Sequence, residues 1–398
     1  MVKLISSASR VVALERLAQF APKGGVQYAS GRNTDYGPDD PSAVSRLSAY
    51  LRYRLITEQE TVASVLGQHS PAAAEKFVQE VLWRTYWKGW LEMRPAVWQR
   101  FLDERDLQRH TFRDSPAVTD AGNGLTGIEG FDDWARELVA TGYLHNHARM
   151  WFASIWIFTL RLPWALGADF FLRHLIDADA ASNTLSWRWV AGLQTVGKTY
   201  LATAGNIARY TNGRFTPKGL AAEAIALTEA PIAAPQELPA LPAWVSRGPA
   251  ALLVTHDDLN PETLLDAGCD IRSVIVAADA GLLWGDGARQ FVRAAAADTA
   301  ARAATHFCCP VNLADKLSVA HLIAAAREAG VGQIITPYAP VGPVADVLAK
   351  IAPELAREGI ALVQARRAWD STFWPHARKG FFAFKERIPS LLRESSLT

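Results

Sequence analysis

Cysteine is scarce in this 398-residue chain, present only as Cys269, Cys308 and Cys309. Two of the three are adjacent and no CxxC spacing occurs, which argues against a disulfide framework and leaves no zinc or iron–sulfur ligand set. A reducing compartment is expected. Long apolar runs are missing too: the longest, Met150 to Leu160, is too short to span a bilayer, and the opening MVKLISSASR has no apolar stretch of signal-peptide length. The cytoplasm is therefore the expected location, with no membrane and no metal partner. Nor does one sign of charge dominate, since 41 Lys and Arg face 40 Asp and Glu. Only residues 140–215 are locally basic, with seven Lys or Arg against three Asp, which suits a phosphate-facing surface or a solvated helical face. No GxGxxG follows a strand-like run, and Gly285-Asp286-Gly287 is too short for a dinucleotide loop and predicts a turn.

What the chain does have is apolar bulk and tryptophan. At 49% hydrophobic it can bury a large core, and its length fits two domains. The division falls near residue 230, where Pro231, Pro235, Pro239, Pro242 and Pro249 deny a helix and favour an extended linker over 230–250. Before it, apolar residues recur at helical spacing, as Phe77, Val81, Trp87 and Leu91 do within 75–91 and as 131–139 repeats, and ten of the 14 tryptophans lie there. After it, strand-like runs at 251–254, 274–276, 333–336 and 360–363 alternate with Ala-rich helical stretches at 317–328 and 341–358. The expected fold is an all-helical domain over 1–229, then a doubly wound, mainly parallel α/β domain over 251–398.

Residues 177–189, DADAASNTLSWRW, pack acidic groups, one amide and two tryptophans into a span short enough to line one cavity. Asn183 and Trp187, four apart, share a helix face. The same stretch also reads as an ordinary helix with an aspartate cap and core tryptophans. Two further segments bear on it: Val44-Ser45-Arg46-Leu47-Ser48, and Thr141-Gly142-Tyr143-Leu144-His145-Asn146-His147-Ala148-Arg149-Met150. Together, in this order and spacing, the three resemble the cryptochrome/photolyase family, the second as its flavin-diphosphate turn and the third as its TGxxHNRxRM segment. The resemblance runs from about Tyr28 to about Tyr210. A weaker one covers the C-terminal part, where His256 to Glu262 resembles the segment opening the family's α/β domain and Trp374 to Phe382 that domain's exit toward the flavin domain. In the family the α/β domain comes first; here it comes last, as in a circular permutation or an unrelated appended Rossmann-like domain.

The resemblance implies FAD as cofactor. Ser45, Arg46, Leu47 and Ser48 would hold its phosphates with Tyr28 and Arg32, while Val44 replaces the family's usual Thr and removes one hydroxyl. The SRLSAYL stretch is equally a capped helix. Asn183 would face flavin N5, Asp179 the pyrimidine edge, and Asp177 would pair with Arg149. Trp187 and Trp164 match the inner and middle members of the family's electron-transfer chain, and Trp98 is the candidate for a surface member. An antenna chromophore of folate or deazaflavin type is left open.

Glu80, Trp83, Asn146, Met150 and Trp189 fall on positions that surround an extruded pyrimidine dimer in DNA-repairing members. The catalytic set implied is Glu80, Asn146, His147, Asn183, Trp187 and Trp164. His147 stands where repair enzymes usually carry Arg, so the site has a shorter, mostly neutral side chain there. The function implied is light-driven repair of cyclobutane pyrimidine dimers in damaged DNA by a monomeric lyase. A blue-light photoreceptor without repair activity is the alternative. A light-independent flavin oxidoreductase is a third class, but no nicotinamide fingerprint supports it.

Overall fold

A computed structural model describes residues 8–39, 44–241, 248–265 and 268–397; Pro242 of the linker and the first seven residues lie outside these. Among the described residues twelve α-helices precede the linker: α1 (Arg10–Phe20), α2 (Val26–Gly31), α3 (Ser48–Arg52), α4 (Glu58–Leu66), α5 (Pro71–Glu92), α6 (Ala96–Thr111), α7 (Pro116–Asn123), α8 (Phe131–Thr141), α9 (Asn146–Ser154), α10 (Trp164–His174), α11 (Ala180–Val190) and α12 (Ala204–Tyr210). Their starts follow from local chemistry. Thr57 and Glu60 close a capping box on α4, and Ser70 caps α5 with Pro71 at its first position. Asp179 caps α11 by accepting from the Ser182 N–H at 2.6 Å.

The sheet comprises β1 (Ala250–Thr255), β2 (Ile271–Ala277), β3 (Val311–Ala314), β4 (Gln333–Pro337) and β5 (Ala361–Ala365). All pairs are parallel, in the order β3-β2-β1-β4-β5, with Leu252 opposite Val274 on one side and Ile335 on the other. Helices α13 (Asp286–Phe307), α14 (Val319–Glu328) and α15 (Pro343–Arg357) make the later crossovers. Winding outward from β1 both ways gives the expected doubly wound architecture. The Gly285 turn is a correction: Gly285 is the N-cap of α13, and Asp286 and Gly287 are its first residues. Strand β3 has no counterpart among the expected runs, because its two central residues, Asn312 and Leu313, are exposed at the sheet edge and the apolar signal is lost.

Hydrophobic cores cross the linker in both directions. One face of the sheet, with α13, is covered by α1 and by Tyr50, Tyr53, Leu55 and Ile56, while α14 and α15 cover the other. The last helices, α16 (Ala368–Phe373), α17 (Phe381–Lys385) and α18 (Ile388–Glu394), return to the helical core through Trp369, Phe373, Phe384 and Leu391. The extended linker lies along the helices: Arg100 donates to the Ala230 and Pro231 carbonyls, and the Gln236 N–H donates to the Met93 carbonyl.

The carboxyl ends of β1 and β4, where such sheets bind nucleotides, are occupied by protein. Asp257 after β1 accepts from Arg52 at 2.8 Å, Asp258 accepts from Arg367 at 2.6 Å, and the Tyr338 hydroxyl after β4 donates to Glu92 at 2.6 Å. At another junction Gly285 sits so close to α10 that a Cβ there would lie 1.7 Å from the Arg173 carbonyl oxygen. Gly285→Ala must therefore push the two halves apart, and overpacking of this kind costs about 1–3 kcal/mol. Urea denaturation should show the variant less stable by about that amount; unchanged stability would mean the junction is loose.

Candidate functional site

One cavity of about 470 Å³ opens in the helical half, between α5, α9, α11 and the turn before α3. Every site residue expected from the sequence except Trp164 lines it. The turn holds Arg46 in the left-handed region (φ 51°) followed by Leu47 near φ −89°, ψ −1°. This alternation of hand turns successive backbone N–H groups to one side, a concavity suited to an anion. Ser45 Oγ is within 3.4 Å of the Leu47 N–H, and the Arg46 guanidinium lies over the Tyr143 ring. Arg32 takes a different partner from the one expected. Its guanidinium pairs through Nη1 with Glu80, so it also braces the far wall.

The acidic wall is built from α11 and the residues before it. Arg149 spans Asp177 with both terminal nitrogens, at 3.2–3.3 Å, as expected. Asp179 is buried among cations, 3.4 Å from Arg52 and 3.5 Å from Arg84. Burial alone would raise its carboxyl, but Lys88, Arg84, Arg52 and the Ser182 N–H outweigh it and hold the group well below the carboxylate range. Asn183 donates from Nδ2 to the Ala168 carbonyl at 2.9 Å, which fixes its amide orientation at the cavity edge. Trp187 is held edge-on to Phe171 at 5.1 Å, and Gly167 makes room for it: a Cβ there would meet the indole at 2.3 Å.

Toward the mouth, the Trp83 ring is stacked on Phe381 at 3.5 Å, so one face is covered by α17, and Trp189 stacks on Tyr200 at 5.6 Å. Met150 and Asn146 also line this part. Burial raises the Glu80 carboxyl against the opposing pull of Arg32. His147 lies flat on Trp151, and its Nδ1 is 2.7 Å from the Asn33 carbonyl. A carbonyl only accepts, so Nδ1 carries the proton and Nε2 of the neutral ring is an acceptor. Burial, opposed by the hydrogen bond to the Asn33 carbonyl and helped by Arg32, lowers His147 below its ordinary value and keeps it neutral near pH 7.

Several cavity residues were not among those expected. Arg84 and Trp87 follow Glu80 by four and seven positions on α5, so helical periodicity from Glu80 would have found both. Arg52 and Lys88 face Asp179 from behind the lining; Lys88, eight positions after Glu80, shares that helical signal, but Arg52 carries none, because Asp179 is far away in sequence. Trp164 is buried behind the cavity, donating to Glu104 at 2.8 Å. Trp98, expected at the surface, is only 2% exposed, because the sheet half packs over it. Among the described residues no group of acidic, His or Cys side chains could hold a metal, and no helix is long and apolar enough to cross a membrane. Cys308 and Cys309 form no disulfide among the described residues.

A flavin fits this cavity on a test independent of sequence. Ser182 Oγ and Trp187 Nε1 are buried without a hydrogen-bond partner among the described residues, and both residues line the cavity. Orphaned donors of this kind are expensive unless a ligand supplies acceptors. The class that this geometry defines is a helical flavin-binding domain. Residues 77–214 match the FAD binding domain of DNA photolyase. It is 35% identical over 195 residues to a deoxyribodipyrimidine photo-lyase of Streptomyces griseus, covering 46% of this chain and 42% of that protein. It is 30% identical over 192 residues to the enzyme of that name from Salmonella typhimurium, covering 47% and 40%. The chain thus spans well under half the length of these relatives. A class III photolyase structure from Agrobacterium tumefaciens overlaps 51% of this chain and 44% of its own, at 24% identity and a TM-score of 0.41.

Proposed function

We propose that this chain holds FAD in the cavity and uses blue light to return cyclobutane pyrimidine dimers in DNA to separate bases. The observation that carries this reading is that the residues matched to the cofactor (Arg149, Asp177, Asp179, Asn183) and those matched to the lesion (Glu80, Trp83, Asn146, Met150, Trp189) line one continuous cavity. When bound and reduced, FAD supplies an electron on excitation. The protein's part is to hold and to exclude water. Trp189 and the free side of Trp83 offer stacking surfaces, each worth about 1–3 kcal/mol per base. Glu80, whose carboxyl burial raises, lines the cavity and can hydrogen-bond a pyrimidine that gains charge. A damaged, poorly stacked pair is the cheapest to extrude, so selectivity needs no base-sequence readout.

The neutral His147, docked on Asn33, favours a second reading as a photoreceptor, because it gives a DNA phosphate no cation where repair enzymes have Arg. The permuted order of the two halves is proposed with the first reading, supported by the return of 369–392 to the helical core. Illuminating the reduced protein with a thymine-dimer oligonucleotide separates the two. Repair predicts light-dependent loss of dimers, and Glu80→Ala should lower the yield per photon about tenfold or more with flavin content unchanged, since a hydrogen bond to a charged group contributes about 1.5–3 kcal/mol. Persistence of dimers, with damaged and undamaged DNA competing equally, would establish the photoreceptor.

A further inference from the structure

Three cations crowd one carboxylate on the cavity wall. Asp179 faces Arg52 at 3.4 Å, Arg84 at 3.5 Å and, further off, the buried Lys88. Arg84 divides its charge between Asp179 and Asp177, 3.8 Å away on the same wall. Arg52 turns outward instead. Its Nη1 donates to Asp257 at 2.8 Å, and Asp257 belongs to the loop after β1, 205 residues away in the sheet half of the chain.

The same guanidinium is tied to the wall through its other side. Nε donates to the Ala178 carbonyl at 2.9 Å, one residue before Asp179, and the neighbouring Tyr53 hydroxyl donates to the Ile176 carbonyl at 2.7 Å. The end of α3 therefore holds the stretch 176–179 in place. Arg52 and Asp257 are 5% and 6% exposed, so water screens their charges little. Burial opposes the charge on Arg52; Asp257, and after it Asp179, sustains it. Asp257 has no second ion-pair partner among the described residues. The adjacent His256 offers none, because burial, against the opposing pull of Asp257, pushes its imidazole down to about 4 and leaves it neutral at pH 7.

We propose that Asp257 is a positioning residue for the flavin pocket: by holding Arg52 from the sheet half, it sets how much positive charge stands behind Asp179, and thereby the reduction potential of a flavin bound there. This rests on the flavin-binding reading above, in which Asp179 meets the pyrimidine edge of the ring. With Asp257 ionised, Arg52 is neutralised mainly from outside the cavity. Without that carboxylate only Asp179 remains to balance Arg52, the wall becomes more positive, and a ring that gains negative charge on reduction is favoured.

A spectroelectrochemical titration of the full FAD-loaded chain tests this. Asp257→Asn should raise the two-electron midpoint by about 30 mV, that is about tenfold in the equilibrium constant. Arg52→Gln removes the cation itself and should lower the midpoint, which keeps the test open even where Asp257→Asn does not fold. Asp257→Glu retains the charge and should stay near the wild-type value. A midpoint unchanged in Asp257→Asn or in Arg52→Gln, or moved in the same direction by both, would overturn the proposal and leave Asp257 a tie between the halves that shows only as lost stability. If that happens while the wild-type chain still binds FAD, the flavin reading survives; a wild-type protein that takes up no flavin would sink both.

Discussion

Replacing Trp187 with phenylalanine is expected to leave FAD bound but to slow its photoreduction by orders of magnitude. Trp187 is the indole that both lines the cavity and touches the wall made by Phe171 and Gly167. Phenylalanine keeps a ring in that slot, so the lost packing costs only about 1 kcal/mol and the acidic wall that holds the cofactor is not disturbed. What disappears is the lining indole on the wall matched to the flavin ring; Trp83, Trp87 and Trp189 also line the cavity but stand on α5 and two residues further along α11. Trp156 is the next indole, but it stands behind Trp187 at 6.3 Å and is absent from the lining. Following the flavin absorption bands under blue light with thiol present measures the rate, and chromatography of released cofactor measures occupancy. Trp164→Phe should act in the same direction but less completely. An unchanged rate in the Trp187 variant would mean that electrons enter by another wall.

Sequence showed most clearly what depends on local pattern. The helix carrying Phe77, Val81, Trp87 and Leu91 runs from Pro71 to Glu92, and four of the five strands lie on the apolar runs that predicted them. Asp179 proves to be both readings at once, the cap of α11 and a cavity residue. What could not be read is long-range. Arg52 meets Asp257, 205 residues away, and Glu92 meets Tyr338, 246 residues away; no spacing rule connects such pairs. Helix α13 escaped because its Ala-rich 22 residues lack a strong apolar stripe, and its start was masked by a Gly-Asp-Gly that resembles a turn. Trp98 was placed at the surface because the packing of a second half over it is invisible in its own neighbourhood.

Arg54→Met is expected to destabilise the protein by about 3–5 kcal/mol at neutral pH, because it breaks a buried ionic cluster that joins three distant segments. The Arg54 guanidinium, 2% exposed, is 2.7 Å from Asp370, 3.3 Å from Glu58 and 3.4 Å from Asp258. Asp258 retains Arg367, but Asp370 and Glu58 lose their nearest cation, and Lys88 is too far to make an ion pair with either. In the intact protein burial would raise Glu58, and Arg54 followed by Lys88 reverses this and lowers it. Without Arg54 the desolvation is opposed mainly by Lys88, so Glu58 should rise above its unfolded value and Asp370, which burial already raises, should rise further. A group raised in the folded state contributes stability below its unfolded pKa and loses it as pH rises. The deficit of the variant should accordingly be largest near pH 7 and shrink as the pH falls through the ordinary carboxylate range, about 4. Urea titrations across that range measure it; a deficit independent of pH would assign the loss to packing alone. The same cluster ties the helical half to the residues after β1 and to α16. Cleaving the linker between Pro239 and Pro249 should therefore leave two fragments associated on gel filtration at micromolar concentration, and Arg54→Met should let them part. Wild-type fragments that separate at once would show that the linker, and not the buried charges, holds the halves together.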